Sequence, residues 1–274
     1  MPELPEVETV RLGLEKWCVG RTITQVETLH PRATNPHSIA ALTSLKRAHI
    51  GQICRRGKFL WFHLDRPYAL VAHSGMSGQF RIQDKAMVDE KHLRVRLTLD
   101  NHQELRFIDQ RTFGWLGLSN FDGDVPDFVK DIAPDIFDPA FDRKALKKIL
   151  QRKKSEIKRV LLDQSVMSGV GNIYADESLW LAKIHPQRSC DSLSRAKIKA
   201  LLSSVESVMS KALLEGGTSF DSLYTNINGE SGYFEHSLEA YGRDGENCSR
   251  CDTQIRRIIV GGRSSHFCPR CQRL

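Results

Sequence analysis

Nothing in these 274 residues approaches the run of about 20 apolar residues that a membrane-spanning helix requires. The N-terminus is dense in glutamate and lacks the basic and apolar regions of a secretory signal. Both absences lead us to expect a soluble, intracellular protein with no membrane partner. Also missing is a glycine-rich strand-to-helix turn, the element with which open parallel sheets hold nucleotides. The seven cysteines do not suit a disulfide framework. Four cluster at the C-terminus, and the scattered Cys18, Cys54 and Cys190 read as core or incidental. Acidic residues are in deficit: 33 Asp and Glu against 40 Lys and Arg leave a net charge of +7, which suits an anionic partner.

What is present is ordered along the chain, and 40% hydrophobic content is enough to bury the cores of two modest domains. Residues 20–118 hold eight short β-rich runs, from RTITQVETL to FGWLGL, several of them alternating and punctuated by Gly, Pro, Asn and Asp. Strands at this spacing point to an antiparallel sandwich or barrel-like domain. Between Asn120 and Asp142 stand seven Asp, three Pro and a single Lys, a shift in composition that marks a linker. Residues 143–159 then carry nine Lys or Arg against one Glu, a local excess suited to tracking a phosphate backbone.

The stretch 142–163 reads helical from Leu146, Ile149, Leu150, Ile157, Val160 and Leu161, and 193–214 continues that periodicity. Between them, LLDQSVMSGVGNIYADESLW places Gly169 and Gly171 between apolar stretches. This predicts a turn followed by a helix from about Asn172, whose first N–H groups attract phosphate; a plain helix–turn–helix core element fits the same residues.

Near the C-terminus, Cys248-x2-Cys251 and Cys268-x2-Cys271 are separated by 16 residues, a spacing for one four-thiolate zinc. Four protein thiolates leave no open position, so this Zn²⁺ is expected to be structural. The intervening residues read as a hairpin, making a basic zinc ribbon with Arg263 at its turn; His266 is a hairpin residue and only a weak rival ligand.

The N-terminus is the chemically unusual stretch. Removal of Met1 would leave Pro2 with a free secondary amine, whose ordinary α-amino pKa near 8 keeps a useful fraction neutral, able to attack a sugar C1′ or aldehyde and form an iminium ion. Glu3 beside it could exchange protons with the leaving group or ring oxygen. An ordinary helix start accounts for the same residues: Pro5 in the first turn, acids at the N-terminus, and Val7, Val10 and Leu14 at helical spacing.

Taken together, PELPEVETV, LLDQSVMSGVGNIYADE and GRSSHFCPRCQ resemble the formamidopyrimidine-DNA glycosylases, and the likeness spans essentially the whole chain. The resemblance implies a bifunctional enzyme of base excision repair that removes 8-oxoguanine and formamidopyrimidines from duplex DNA and cuts the strand by β- and δ-elimination. It implies Pro2 as Schiff-base nucleophile and Glu3 as the acid that helps open the sugar ring. Lys58 would transfer protons in β-elimination and contact phosphate; Arg263 would serve δ-elimination and hold the phosphate at the lesion. DNA contacts fall on His92, Arg111, Lys154 and Asn172. Met76, with Arg111 and Phe113, matches a wedge that fills the gap left by a flipped nucleotide. A strand-edge lysine and core apolar residues are the ordinary alternatives; the flanking glycines and neighbouring arginine favour the wedge.

The implied fold is a multidomain α+β chain. An N-terminal helix and antiparallel β-sandwich occupy 1–120, a linker 121–142, a helical DNA-binding domain with a helix-two-turn-helix element 143–236, and the zinc ribbon 237–274. The expected location is the cytoplasm, at the nucleoid, and nothing in the residues demands more than a monomer. The chain departs from the usual family wording at Ser74, Arg94, Gln110 and Thr112 and over 218–231, a loop that covers the flipped base in the family. Two rivals share parts of this reading: an endonuclease VIII-type glycosylase for oxidised pyrimidines, disfavoured by Leu4, and a non-catalytic zinc-ribbon protein that senses damage. Binding alone needs no N-terminal amine beside a carboxylate.

Overall fold

Alternation builds the first unit of the chain. In the strand Leu93–Leu99, Leu93, Val95 and Leu97 are buried while Arg94 and Arg96 are only half-buried, the period-2 pattern of a sheet with one face on a core. The computed structural model describes residues 2–121, 125–217 and 234–274. By backbone proximity it divides into two units, Met1–Asp131 with Glu215–Tyr233, and Ile132–Leu214 with Phe234–Leu274.

The first unit opens with helix α1 (Leu4–Cys18) and continues through eight strands: β1 (Ile23–Thr28), β2 (Ile50–Arg56), β3 (Phe59–Leu64), β4 (Tyr68–His73), β5 (Gly78–Asp84), β6 (Leu93–Leu99), β7 (Gln103–Asp109) and β8 (Trp115–Asn120). Each matches one β-rich run of the sequence. They form two four-stranded antiparallel sheets, ordered β1-β6-β7-β5 and β2-β3-β4-β8. One buried cluster joins both sheets to α1. Val7, Val10, Leu14 and Cys18 pack with Ile53, Leu60 and Phe62 from one sheet and Phe80, Leu97 and Phe107 from the other, confirming the sandwich. Burial pushes the Cys18 thiol up to about 12, so this cysteine is an inert core residue.

The second unit holds α2 (Arg143–Arg152), α3 (Ile157–Leu161), α4 (Asn172–Leu181) and α5 (Arg195–Leu214), followed by the hairpin β9 (Arg256–Val260) and β10 (Arg263–Phe267). The Asp142 carboxylate caps α2 by accepting from the Lys144 and Ala145 N–H groups at 2.7 and 3.0 Å. The helical periodicity of 142–163 is interrupted at 153–156. There the Lys153 and Ser155 carbonyls accept from Asp191 and Cys190, and the Ile157 N–H donates to Arg188. Pairing with a segment some 35 residues away by sequence has outcompeted helix continuation.

Leu14, on α1, has no exposed surface and belongs to the buried cluster that includes residues of both sheets. Leu14→Ala should lower stability by about 2–5 kcal/mol, read from the midpoint of chemical denaturation; a midpoint equal to that of the parent would contradict this account of the core.

Candidate active site

The backbone before α1 is held by reciprocal capping. Glu3 is the N-cap; its N–H donates to Glu6 Oε2 at 2.8 Å, while its own carboxylate accepts from the Glu6 N–H. Pro5 lies in the first turn, where a missing N–H costs nothing. Pro2 and Glu3 are both buried, with Glu3 at 2% exposure, and the positive end of the helix dipole favours a carboxylate here. Gly217 packs onto the Glu6 side chain so closely that a Cβ would stand 2.9 Å from Oε1.

Arg55 ties α1 to the tip of the β2–β3 hairpin. Its Nε donates to Glu8 Oε2 at 2.8 Å, and a terminal N–H donates to the Gly57 carbonyl at 3.1 Å. Lys58, buried, is the second residue of that tip, so the structure brings Lys58 toward the N-terminal half of α1. Facing Phe59 across the sheet is His73, with ring centroids 4.7 Å apart. Burial, and then the charge of Lys58, push its imidazole down to about 4. Its Nδ1 accepts from the Gly75 N–H at 3.2 Å, a role open only to the unprotonated nitrogen.

Met76 and Phe113 are 42% and 56% exposed, and the Arg111 guanidinium lies 5.2 Å from the Phe113 ring centre. His92 is half-buried. Arg94, standing where the family commonly has a second histidine, places a terminal nitrogen 3.4 Å from His92 Nδ1. Thr112 adopts a positive φ of 53°, an uncommon conformation for a β-branched residue. The 218–231 loop lies outside the described residues.

In the second unit Gln164 closes the connection from α3 to α4. Its amide group donates to the Leu162 and Val170 carbonyls at 3.0 and 2.9 Å and accepts from the Gly169 N–H at 2.9 Å. This starts α4 at Asn172, as the glycine pair predicted. Asn172 Nδ2 then donates at 2.9 Å to the carbonyl of Ser264, the neighbour of Arg263. Arg263 is exposed beside the two-residue turn Gly261–Gly262, so the fold brings Asn172 and the Arg263 segment together. Lys154 is exposed in the connection between α2 and α3 and has no part in the Ser264 hydrogen bonds.

The residues that support these contacts were not singled out from the sequence. Asp176 has no exposed surface and receives Lys158 Nζ at 2.6 Å, Ser265 Oγ at 2.9 Å, and the His266 N–H and Nδ1 at 2.8 and 3.1 Å. Lys158 Nζ also donates to the Ser264 carbonyl at 2.7 Å. Glu177 accepts from the N–H groups of Glu239, Ala240 and Tyr241; burial raises its carboxyl above the ordinary value, against the pull of those bonds. The available signal was two adjacent acids inside an apolar helix, since charges there need partners.

The sulfurs of Cys248, Cys251, Cys268 and Cys271 all lie within 4.8 Å of one another, with Cys251 3.5 Å from both Cys268 and Cys271. Tetrahedral zinc with bonds near 2.3 Å separates its sulfurs by about 3.8 Å, so the set fits one zinc. His266 lies on Asp176 and outside this set. The ribbon's buried cluster is small: Trp180, Ala240, Cys248, Ile255 and Cys268, with Cys251 and Cys271 against it. Among the described residues no helix is long and apolar enough to cross a membrane.

Comparison with known proteins gives a consistent match along the chain. Residues 1–116 match the formamidopyrimidine-DNA glycosylase N-terminal domain, 132–223 the formamidopyrimidine-DNA glycosylase H2TH domain, and 245–274 a zinc finger found in FPG and IleRS. The formamidopyrimidine-DNA glycosylase of Streptomyces coelicolor is 53% identical, covering 100% of this chain and 98% of that one. That of Thermobifida fusca is 51% identical, covering 99% and 97%. Among solved structures, Lactococcus lactis Fpg with DNA containing an abasic site superposes with a TM-score of 0.91 at 38% identity, covering 99% of this chain and 100% of that one. The same enzyme with DNA containing an oxidised pyrimidine gives 0.89 at 37%, covering 100% of both.

Two outcomes follow from this geometry. Zinc chelation, or Cys268→Ser, should disorder the ribbon and abolish tight duplex-DNA binding, because closed zinc sites contribute folding energy directly; a metal assay should find one zinc per chain, and fully active metal-free protein would contradict it. Because His73 takes its proton near pH 4 when folded but near 6.5 when unfolded, the unfolded state binds more protons between those values, and stability falls as pH drops through that window. His73→Gln should flatten the stability–pH curve there, as measured by thermal unfolding from pH 4 to 7.

Proposed function

The chain belongs to the formamidopyrimidine-DNA glycosylase family, and we propose that it excises oxidised purines, 8-oxoguanine and formamidopyrimidines, from duplex DNA and then cleaves the strand at the resulting site. Once Met1 is removed, the Pro2 nitrogen attacks C1′ of the damaged nucleotide and displaces the base, which leaves with the proton lost from that nitrogen, so that C1′ carries both the enzyme nitrogen and the ring oxygen. Glu3 then donates a proton to the ring oxygen; the ring opens and an iminium ion joins enzyme to sugar. The iminium acidifies the C2′ hydrogen; its removal, in which Lys58 transfers the proton, expels the 3′ phosphate by β-elimination. Arg263 stabilises the departing 5′ phosphate in δ-elimination. Zinc takes no part in these steps and holds the ribbon that carries Arg263.

What supports this reading above a purely DNA-binding one is the buried Pro2 directly ahead of a capping carboxylate, Glu3, on a helix that Arg55 ties to the Lys58 turn. Phosphate recognition requires no such arrangement. Double-stranded DNA is the partner, met through His92, Arg111, Lys154 and Asn172, while Met76, Arg111 and Phe113 enter the stack where the nucleotide leaves. Functionally, residues 1–120 carry the nucleophile, 121–142 link it to the DNA-binding helices of 143–236, and 237–274 form the finger. One chain supplies every named group, so the enzyme works as a monomer, at the nucleoid.

A second reading, with oxidised pyrimidines as substrates, is favoured by one observation: the Lactococcus lactis relative was solved with DNA containing such a lesion.

The test is incubation with a duplex carrying one 8-oxoguanine opposite cytosine, with and without borohydride. A borohydride-dependent adduct and a gap flanked by phosphates are expected; an adduct only on oxidised pyrimidine would move the specificity, and none on any lesion or abasic site would overturn the assignment. Pro2→Glu, whose larger side chain keeps Met1 in place and so moves the terminal amine one residue away, should reduce trapping to background while duplex affinity holds, since phosphate contacts dominate binding. Glu3→Gln should slow iminium formation, read as the rate of borohydride trapping, by about 10²–10⁴-fold, the usual contribution of a general acid.

A further inference from the structure

We propose that Asp109 is the positioning residue of the DNA-inserting wedge, acting on nucleotide flipping and leaving the sugar chemistry to other groups; this rests on the reading of Met76, Arg111 and Phe113 given above. The wedge side chains come from two separate loops, 74–77 between β4 and β5 and 110–114 between β7 and β8. Neither apolar side chain is buried, Met76 being 42% and Phe113 56% exposed, so core packing does not fix their loops.

Asp109, at the end of β7, has no exposed surface and grips both loops at once. Its Oδ1 accepts from Ser77 Oγ at 2.5 Å, beside Met76, and from the Arg111 N–H at 3.1 Å. Its Oδ2 accepts from the Gly114 N–H at 2.7 Å, beside Phe113. The Arg111 N–H also reaches Ser77 Oγ, at 3.1 Å, closing a ring of bonds between the loops. Their backbones touch directly: Gly75 has a φ of +58°, and a Cβ there would stand 2.5 Å from the Phe113 carbonyl carbon. The main chain of the same residue holds the next pair of groups. The Asp109 N–H donates to the His92 carbonyl at 3.0 Å, and its carbonyl accepts from Arg94 Nε at 2.7 Å.

A carboxylate is needed because every partner in this ring is a donor. Asparagine keeps the shape but turns one acceptor into an N–H₂ facing an N–H, releasing one loop from the other. The wedge would then have to be ordered during flipping, when unstacking already costs free energy. Chemistry on an abasic site in single-stranded DNA has no opposite stack to fill and is spared.

The experiment measures single-turnover excision of 8-oxoguanine from duplex, the fluorescence rise of 2-aminopurine beside the lesion, and borohydride trapping on a single-stranded abasic oligonucleotide. Asp109→Asn should slow the first two by roughly tenfold or more and change trapping by less than about twofold. In a background carrying Met76→Ala, Arg111→Ala and Phe113→Ala the same substitution should add less than about twofold, because residues acting through one another are not additive. Equal losses on both substrates, wild-type excision from duplex, or an undiminished effect in the wedge-less background would each overturn the proposal. Should Asp109→Asn fail to fold, Ser77→Ala leaves the carboxylate in place and must show the same selective loss; Ser77→Ala protein equal to wild type would overturn it. Wild-type protein inert on both substrates would instead sink the assignment of Pro2, and with it the flipping step that Asp109 serves.

Discussion

Carboxylates withdrawn from water and bonded to backbone N–H groups are the interaction on which this structure depends. Glu6 receives the N–H of Glu3, Asp109 those of Arg111 and Gly114, Asp176 that of His266, and Glu177 those of three consecutive residues, 239–241. An unpaired buried charge is costly, and so is an unpaired buried N–H. Each of these acids removes both penalties together. Hydrogen bonds to charged groups are worth about 1.5–3 kcal/mol each, enough to hold an irregular loop in one conformation without a hydrophobic core beneath it.

That constraint explains why the candidate groups sit on irregular backbone yet are placed closely. Pro2 precedes a helix whose cap is reciprocal, so the direction in which the chain enters α1 is set at two points. Lys58 occupies a hairpin tip that Arg55 ties back to Glu8 on α1. His73, kept neutral by burial and by the neighbouring Lys58 charge, remains an acceptor for the Gly75 N–H. Secondary structure supplies rigid supports here, and the candidate side chains stand at its ends.

The ribbon depends on the same device and on metal. A two-stranded hairpin is marginal alone, and the buried cluster beneath this one consists largely of its own cysteines with Trp180 and Ile255. Zinc replaces the missing core. Asp176 then locks β10 to α4 through Ser265 and His266, and Lys158 adds a bond to the Ser264 carbonyl. The segment that carries Arg263 is thereby held beside Asn172, whose side-chain amide donates to the Ser264 carbonyl.

Short-range pattern carried much of this. The eight strands follow from runs of alternating residues, the start of α4 from Gly169 and Gly171, and the zinc set from two pairs of cysteines three apart, because each signal is complete within a few residues. The break between α2 and α3 was not legible, since it arises from bonds between 153–157 and 188–191 that local helical periodicity cannot register. Nor were the roles of Asp109 and Asp176, whose partners lie 32 and 90 residues distant at Ser77 and His266. Sequence alone determined which chemical groups the chain possesses and which local elements it forms, because residue type and spacing act at short range. The tertiary structure alone decided which carboxylates are buried and which amides they hold, because burial and hydrogen-bond partnership exist only once distant segments share one interior.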